Sequence, residues 1–187
     1  MPLEPAEPLS VVVYGDSNTT GFSGALEAGM AAGVAWPAHL PPDEYELIGG
    51  WAVDGITTTR LADTAVPAPD ADLLVVMGGT NDIAVGTPTD TITANVVRIA
   101  DVVAAPRVAL AAIPPLDPLP EEANVLNTAL AELARTRGWE FVDPWAGMRD
   151  ADGTWMPVYR TDGVHTTADG YARAGEEIGR LLSLTAP

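Results

Sequence analysis

Residues Val11–Phe22 read VVVYGDSNTTGF. Three valines and a tyrosine run without a polar interruption, which is the composition of a strand buried on both faces. The run stops abruptly at Gly15-Asp16-Ser17-Asn18. A strand covered on both faces belongs to a sheet flanked by helices, and such sheets hold ligands beyond the carboxyl ends of their strands. The stretch therefore sets two expectations: a parallel α/β architecture, and a site at Ser17. A Gly-Asp-Ser turn also ends many ordinary strands, so the rest of the chain must decide between a nucleophile and a plain turn.

Further runs repeat the pattern. Strands are expected at Leu9–Tyr14, Tyr45–Gly49, Leu73–Met77, Val108–Ile113 and Trp139–Val142. Helical signals separate them. Gly24–Leu40 is Ala-rich, Thr57–Thr64 is short, and Thr89–Ala104 spaces Ile92, Val96, Ile99 and Val103 at helical intervals. Glu121–Arg137 does the same, and Asp169–Leu182 follows Thr167 as a candidate N-cap. This alternation predicts one α/β domain over residues 1–187, with a five-stranded, mostly parallel sheet. The loop Asp143–Asp162 is long enough to form a lid or a pocket wall.

Composition removes many chemistries. Of the 187 residues 47% are hydrophobic, enough for a sizeable core. The net charge is −17, from 26 acidic and nine basic residues, all nine of them Arg. Such a chain repels phosphate backbones and anionic lipid, so no nucleic-acid partner is expected. With no Cys there is no thiolate nucleophile, no disulfide and no sulfur-bound zinc. With no Lys there is no Schiff base. Any imidazole base must be His39 or His165, and neither a cofactor nor a metal site is expected, because only carboxylates stand beside a single spare His. No apolar run is long enough to span a membrane. The stretch MPLEPAEPLS has neither the basic nor the apolar part of a secretory signal, which favours a cytoplasmic location and leaves a secreted one open for a longer chain.

Three loops should meet at the carboxyl ends of the strands: the one bearing Ser17, the one bearing Gly55, and Gly78-Gly79-Thr80-Asn81-Asp82. Asp162-Gly163-Val164-His165 precedes the last helix. A carboxylate three residues before a histidine can reach its Nδ1 across one tight turn, fix the tautomer, and stabilise the imidazolium. His165 Nε2 would then serve as base for Ser17, whose hydroxyl alone is a poor nucleophile. An oxyanion formed on the substrate needs donors, and the candidates are the Ser17 and Gly55 backbone N–H groups and the Asn81 side-chain amide. Each piece alone has a bland reading as a turn or a cap. The ordered combination points to catalysis.

These four blocks resemble the SGNH (GDSL-type) hydrolase superfamily. Its Ser, Gly, Asn and His are matched by Ser17, Gly55, Asn81 and His165, within GDSN at Gly15–Asn18, WAVDGITT at Trp51–Thr58, GTND at Gly79–Asp82 and DGVH at Asp162–His165. The resemblance runs from Val11 to about Tyr171. It implies a three-layer α/β/α sandwich of flavodoxin-like type. It also implies a serine esterase with the triad Ser17, Asp162 and His165 and an oxyanion hole of Ser17, Gly55 and Asn81. The expected partner is a small-molecule carboxylic ester, with short-acyl or acetyl esters, including those of carbohydrates, in front. An acyltransferase, a thioesterase or a lysophospholipase using the same site is the alternative, and a non-catalytic carbohydrate- or lipid-binding module is a further one. Asn18 stands where the family often has Leu, and Gly50 and Ala52 stand where it often has a Gly and an Asn. Asn18 is accordingly expected to shape the acyl pocket.

Neighbouring residues carry lesser expectations. Asp16 is read as a structural carboxylate tying loops together, and Asp82 as a brace for Asn81 or a cap. His39 is read as a surface or packing residue and Trp36 as core. Trp51, Trp155, Met156 and Tyr159 are either pocket walls or anchors of the Asp143–Asp162 loop.

Overall fold

The computed structural model describes residues 7–22, 25–27 and 33–184. Its centre is a sheet in which β1 (Leu9–Gly15) lies between β3 (Tyr45–Val53) and β4 (Leu73–Met77), both parallel to it. Outside β4 come β5 (Arg107–Ala111) and β6 (Glu140–Val142), also parallel. These are the five parallel strands expected. A sixth, β2 (Ala25–Glu27), pairs antiparallel with β3 and closes the other edge, giving the order β2-β3-β1-β4-β5-β6.

The alternation of side chains along β1 explains the three layers. Val11 and Val13 point to one face, where they pack with Leu73, Val75 and the helix α6 (Ala168–Leu184) through Tyr171, Ala174 and Ile178. Val12 and Tyr14 point to the other face, against α2 (Thr58–Asp63), α4 (Thr89–Val103) and α5 (Pro120–Arg137) through Leu61, Ile92, Val96 and Leu126. All of these side chains are buried. Each buried Val, Leu or Ile among them contributes about 1.5–3 kcal/mol of transfer free energy, and helices cover both faces of β1.

Two expectations need correction. The Ala-rich stretch Gly24–Leu40 is not a helix where it is described: it contains β2 and a short 3₁₀ turn at Trp36–His39, while residues 24 and 28–32 lie outside the described residues. Ala, Leu and Glu are good helix formers, but here pairing of Leu26 with Ala52 across the sheet edge overrides that preference. The second strand also continues past Gly49 to Val53. Register slips by one residue between Val11/Val12 on β1 and Leu47/Gly49 on β3, so Ile48 is an extra residue in a bulge. Gly50 then adopts φ +127°, with Val13 O only 2.0 Å from where a Cβ would stand, so the glycines keep the bulged strand in the sheet instead of ending it.

Three segments end at the carboxyl edge of the sheet. β1 runs into the single-turn helix α1 (Ser17–Thr20), β3 into the turn at Asp54–Gly55, and β4 through Gly78-Gly79 into α3 (Thr80–Ala84). The Asp143–Asp162 segment does not float above them. Trp145, Met148 and Trp155 are buried in the core, and short bridges join Arg149 to Trp155 and Arg160 to Thr166. Trp155 is thus an anchor of this segment, packed edge-on against Trp145, and not a pocket wall. Among the described residues no helix is long and apolar enough to cross a membrane.

Candidate active site

Ser17 opens α1. Asp16 caps that turn: its Oδ1 accepts from the Asn18 N–H at 3.0 Å, and Gly21 ends it in a left-handed conformation with its N–H on Ser17 O. The N–H of a first-turn residue has no acceptor within its own helix, so α1 makes no use of the Ser17 amide. The hydroxyl meets His165: Oγ and Nε2 are 2.8 Å apart. On the other side of the ring, His165 Nδ1 lies 2.7 Å from Asp162 Oδ2. Asp162 Oδ1 accepts the N–H groups of Val164 and His165 at 2.9 and 2.8 Å, which closes the tight turn expected of DGVH.

The electrostatics follow from this arrangement. Partial burial raises the Asp162 pKa, but the hydrogen bonds from the His165 ring and from the two backbone N–H groups outweigh it and bring the carboxyl down to about 2. Asp162 is therefore an anion at any pH where an imidazole titrates. Asp16 behaves in the opposite way. Burial pushes it up to about 6, against the Asn18 N–H and the charge of His165, which lower it; the nearby Asp82 raises it further. Its Oδ2 is buried without a hydrogen-bond partner, and the Thr80 hydroxyl favours the charge without completing a bond.

The other sequence-predicted donors, Gly55 and Asn81, lie on turns tied to one another. Val53–Ile56 forms a turn closed by Ile56 N–H to Val53 O, with exposed Gly55 at φ +76°. Asn81, in the first turn of α3, donates one Nδ2 hydrogen to Ile56 O at 2.9 Å, which ties its amide to that turn and leaves the second hydrogen. Asp82 does not brace Asn81. It is fully buried and accepts the N–H and the hydroxyl of Thr58, both at 2.7 Å, so it joins α3 to the start of α2.

Asn18 does not line a pocket. It is completely buried, and its Oδ1 accepts from the Tyr171 hydroxyl at 3.1 Å. Burial holds the Tyr171 phenol above its ordinary range, so it remains a donor. The residue that departs from GDSL thus fastens α1 to α6 beside Ser17. Trp36 is buried as expected, and His39 places Nε2 2.8 Å from Gly33 O, away from the site. Trp51 and Ile56 are half-buried walls of a groove beside Gly55 that also includes Asp54, Thr57 and Arg60. Tyr159 bonds Arg173 at 2.6 Å and accepts the Thr166 hydroxyl through its carbonyl, which makes it an anchor of the loop.

Several contributors carry no local motif. Thr20 Oγ1 donates to Asp54 Oδ1, joining the Ser17 turn to the Gly55 turn. Asp117, in the loop after β5, donates its N–H to Gly163 O at 2.8 Å, accepts the Trp155 N–H at 2.8 Å, and pairs with Arg160 at 2.6 Å. It thereby holds the Asp162–His165 turn from outside. The one signal for Asp117 in the sequence is its place just past a strand end. Phe22 stacks on the His165 ring with centroids 4.2 Å apart. Among the described residues no three His, Asp or Glu side chains converge as a metal ion would require.

Taken as chemistry, the site holds a hydroxyl on an imidazole and a carboxylate behind that imidazole. The profile of the GDSL-like lipase/acylhydrolase family matches residues 13–173. No curated protein sequence matches the chain. Among solved structures, a protein of Desulfitobacterium hafniense assigned provisionally to the lipolytic G-D-S-L family superposes with a TM-score of 0.78 at 19% identity, covering 92% of this chain and 99% of its own. A GDSL-like lipase from Bacteroides thetaiotaomicron gives 0.72 at 22% identity, over 97% and 93% of the two chains. A catalytic mutant of an acetylxylan esterase from Geobacillus stearothermophilus gives 0.71 at 16%, over 96% of each. At these identities the structures speak for a shared fold.

Proposed function

The chain belongs to the GDSL-like lipase/acylhydrolase family, whose profile spans most of its length, and from that premise we propose that it hydrolyses carboxylic esters of short acyl groups, acetyl foremost, with Ser17 as nucleophile. The observation that carries the reading is the unbroken line Ser17 Oγ–His165–Asp162, with both links at 2.8 Å or less.

His165 Nε2 takes the Ser17 proton as Oγ bonds to the ester carbonyl carbon. Charge moves onto the carbonyl oxygen, where the Ser17 and Gly55 N–H groups and the free Asn81 amide hydrogen receive it. Asp162, held as an anion, keeps the Nδ1 proton in place and stabilises the imidazolium. The proton then passes from Nε2 to the alcohol oxygen as the carbon–oxygen bond breaks. Water enters, gives a proton to Nε2, and adds to the acyl carbon. Ser17 leaves with that proton, and the acid is released.

The preference for short acyl groups rests on the groove beside Gly55. Its apolar walls, Trp51 and Ile56, give way to Asp54 and Arg60, which suit a short chain better than a long one. The acetylxylan esterase of like fold agrees with this choice. The same atoms would serve acyl transfer or thioester cleavage, whereas a non-catalytic binding module has no need of the Ser17–His165 link. A panel of esters from acetyl to long-chain acyl, run with the wild type and Ser17→Ala, tests the reading. Turnover should be highest for acetyl to butyryl and absent in Ser17→Ala. Equal rates in Ser17→Ala contradict it. An added alcohol that captures most of the acyl group would assign transfer instead of hydrolysis.

A further inference from the structure

Phe22 combines three features that core packing does not account for. Its φ is +55°, in the left-handed region that large L side chains avoid. Its ring lies nearly flat on the His165 imidazole, with centroids 4.2 Å apart and planes inclined by 23°. And 62% of the residue remains open to solvent. The backbone is held in this position by its N–H on Ser17 O at 2.8 Å, one residue beyond the left-handed cap of α1. One face of the ring therefore rests on the imidazole, and the remaining exposure leaves the opposite face free. Strained backbone held beside reacting groups is a recurrent mark of a functional position.

The direction of the chemistry says what that free surface meets. The general acid must deliver its proton from His165 Nε2 to the oxygen of the departing alcohol. The alcohol half of the ester therefore lies on the imidazole side of Ser17, and the acyl half is turned toward Gly55 and its groove. A ring in contact with the imidazole borders the space of the alcohol.

We propose that Phe22 is the platform for the alcohol half of the ester and selects alcohols that carry a flat apolar face, whether an aryl ring or the C–H face of a pyranose. This rests on the esterase reading above. Aromatic rings attract such faces through dispersion and their quadrupole, and the preset position of Phe22 avoids an ordering cost on binding.

Three acetates that form the same acetyl-enzyme test it: methyl acetate, benzyl acetate and a mono-acetylated methyl pyranoside. Their kcat/KM values are compared in the wild type, Phe22→Gly and Phe22→Tyr. Glycine accepts the φ of this position, so the first variant removes the ring without adding backbone strain; tyrosine keeps the flat face. The ratio of benzyl or pyranoside acetate to methyl acetate should fall about three- to tenfold in Phe22→Gly and be retained in Phe22→Tyr. A fall for benzyl acetate alone assigns an aryl alcohol, and a fall for the pyranoside alone assigns a sugar. Ratios unchanged in Phe22→Gly, with Ser17 still labelled by a fluorophosphonate, overturn the platform and leave the esterase standing. A wild type that turns over none of the three and takes no label overturns both.

Discussion

Thr20 and Asp54 are joined side chain to side chain, so the turn that carries Ser17 and the turn that carries Gly55 are fastened to one another. The two groups proposed to act on one carbonyl are thus held in register by a bond that touches neither. Thr20 Oγ1 also lies 3.2 Å from Ser17 O, a second acceptor within reach of its one hydrogen. Thr20→Val keeps the shape and removes that hydrogen. It should lower kcat by about 10- to 100-fold, the scale of a small misplacement at a reacting centre, with little change in KM. Steady-state kinetics on a short-acyl ester checks this, and an unchanged kcat would show that the tie has no part in positioning.

Asn81 spends one amide hydrogen on Ile56 O, and the second is the one proposed for the oxyanion. Asn81→Ala should lower kcat by about 10²–10³, the usual loss for one oxyanion donor, while KM moves far less. A loss expressed in KM alone would assign Asn81 to ground-state binding instead.

Asp117 holds the His165 turn through its own N–H on Gly163 O, and its carboxylate ties in the preceding segment at the Trp155 N–H and Arg160. Asp117→Ala leaves the Trp155 N–H without its acceptor, which costs about 1–3 kcal/mol, and frees Arg160. The variant should unfold at lower temperature and lose activity together. Full activity at a lowered unfolding temperature would make Asp117 a stability residue only.

The two carboxylates flanking the site should act oppositely on stability. Asp162, lowered to about 2, contributes stability that is fully present above pH 3.8 and is lost as pH falls toward 2. Asp16, raised to about 6, is neutral in both states below pH 3.8. Between pH 3.8 and 6 the unfolded chain ionises while the folded one keeps its proton, so stability drains away. Above pH 6 the loss is complete, on the order of 2–3 kcal/mol. Asp16→Asn keeps an acceptor for the Asn18 N–H and cannot ionise. Thermal unfolding of the pair should show the variant gaining roughly 5–10 °C on the wild type between pH 4 and pH 7. A difference that stays flat with pH would refute the buried, strained carboxylate.

The parts of the molecule legible from sequence are those whose cause is local. Val11–Val13 announce a doubly covered strand because every residue in the run is apolar and β-branched. Asp162 and His165 announce a paired carboxylate and imidazole because three residues separate them. β2 is hidden because Ala25–Glu27 has helix-forming residues, and only pairing with Trp51–Val53 of β3 makes it a strand. Gly49 and Gly50 read as a strand end because the bulge that needs them is defined by β1. Asn18 looks like a pocket residue until Tyr171, far along the chain, is seen to cover it. Thr20, Asp54 and Asp117 belong to the same class: their partners are set by the approach of loops, which no spacing records.

The central claim is that Ser17 is a nucleophile activated through His165. It is tested most directly by incubating the folded protein with a fluorophosphonate and mapping the adduct by peptide mass spectrometry, alongside His165→Ala. A single adduct on Ser17, formed far more slowly in His165→Ala, is the predicted result. A folded wild type that takes no label at Ser17, or labels equally fast without His165, would contradict it.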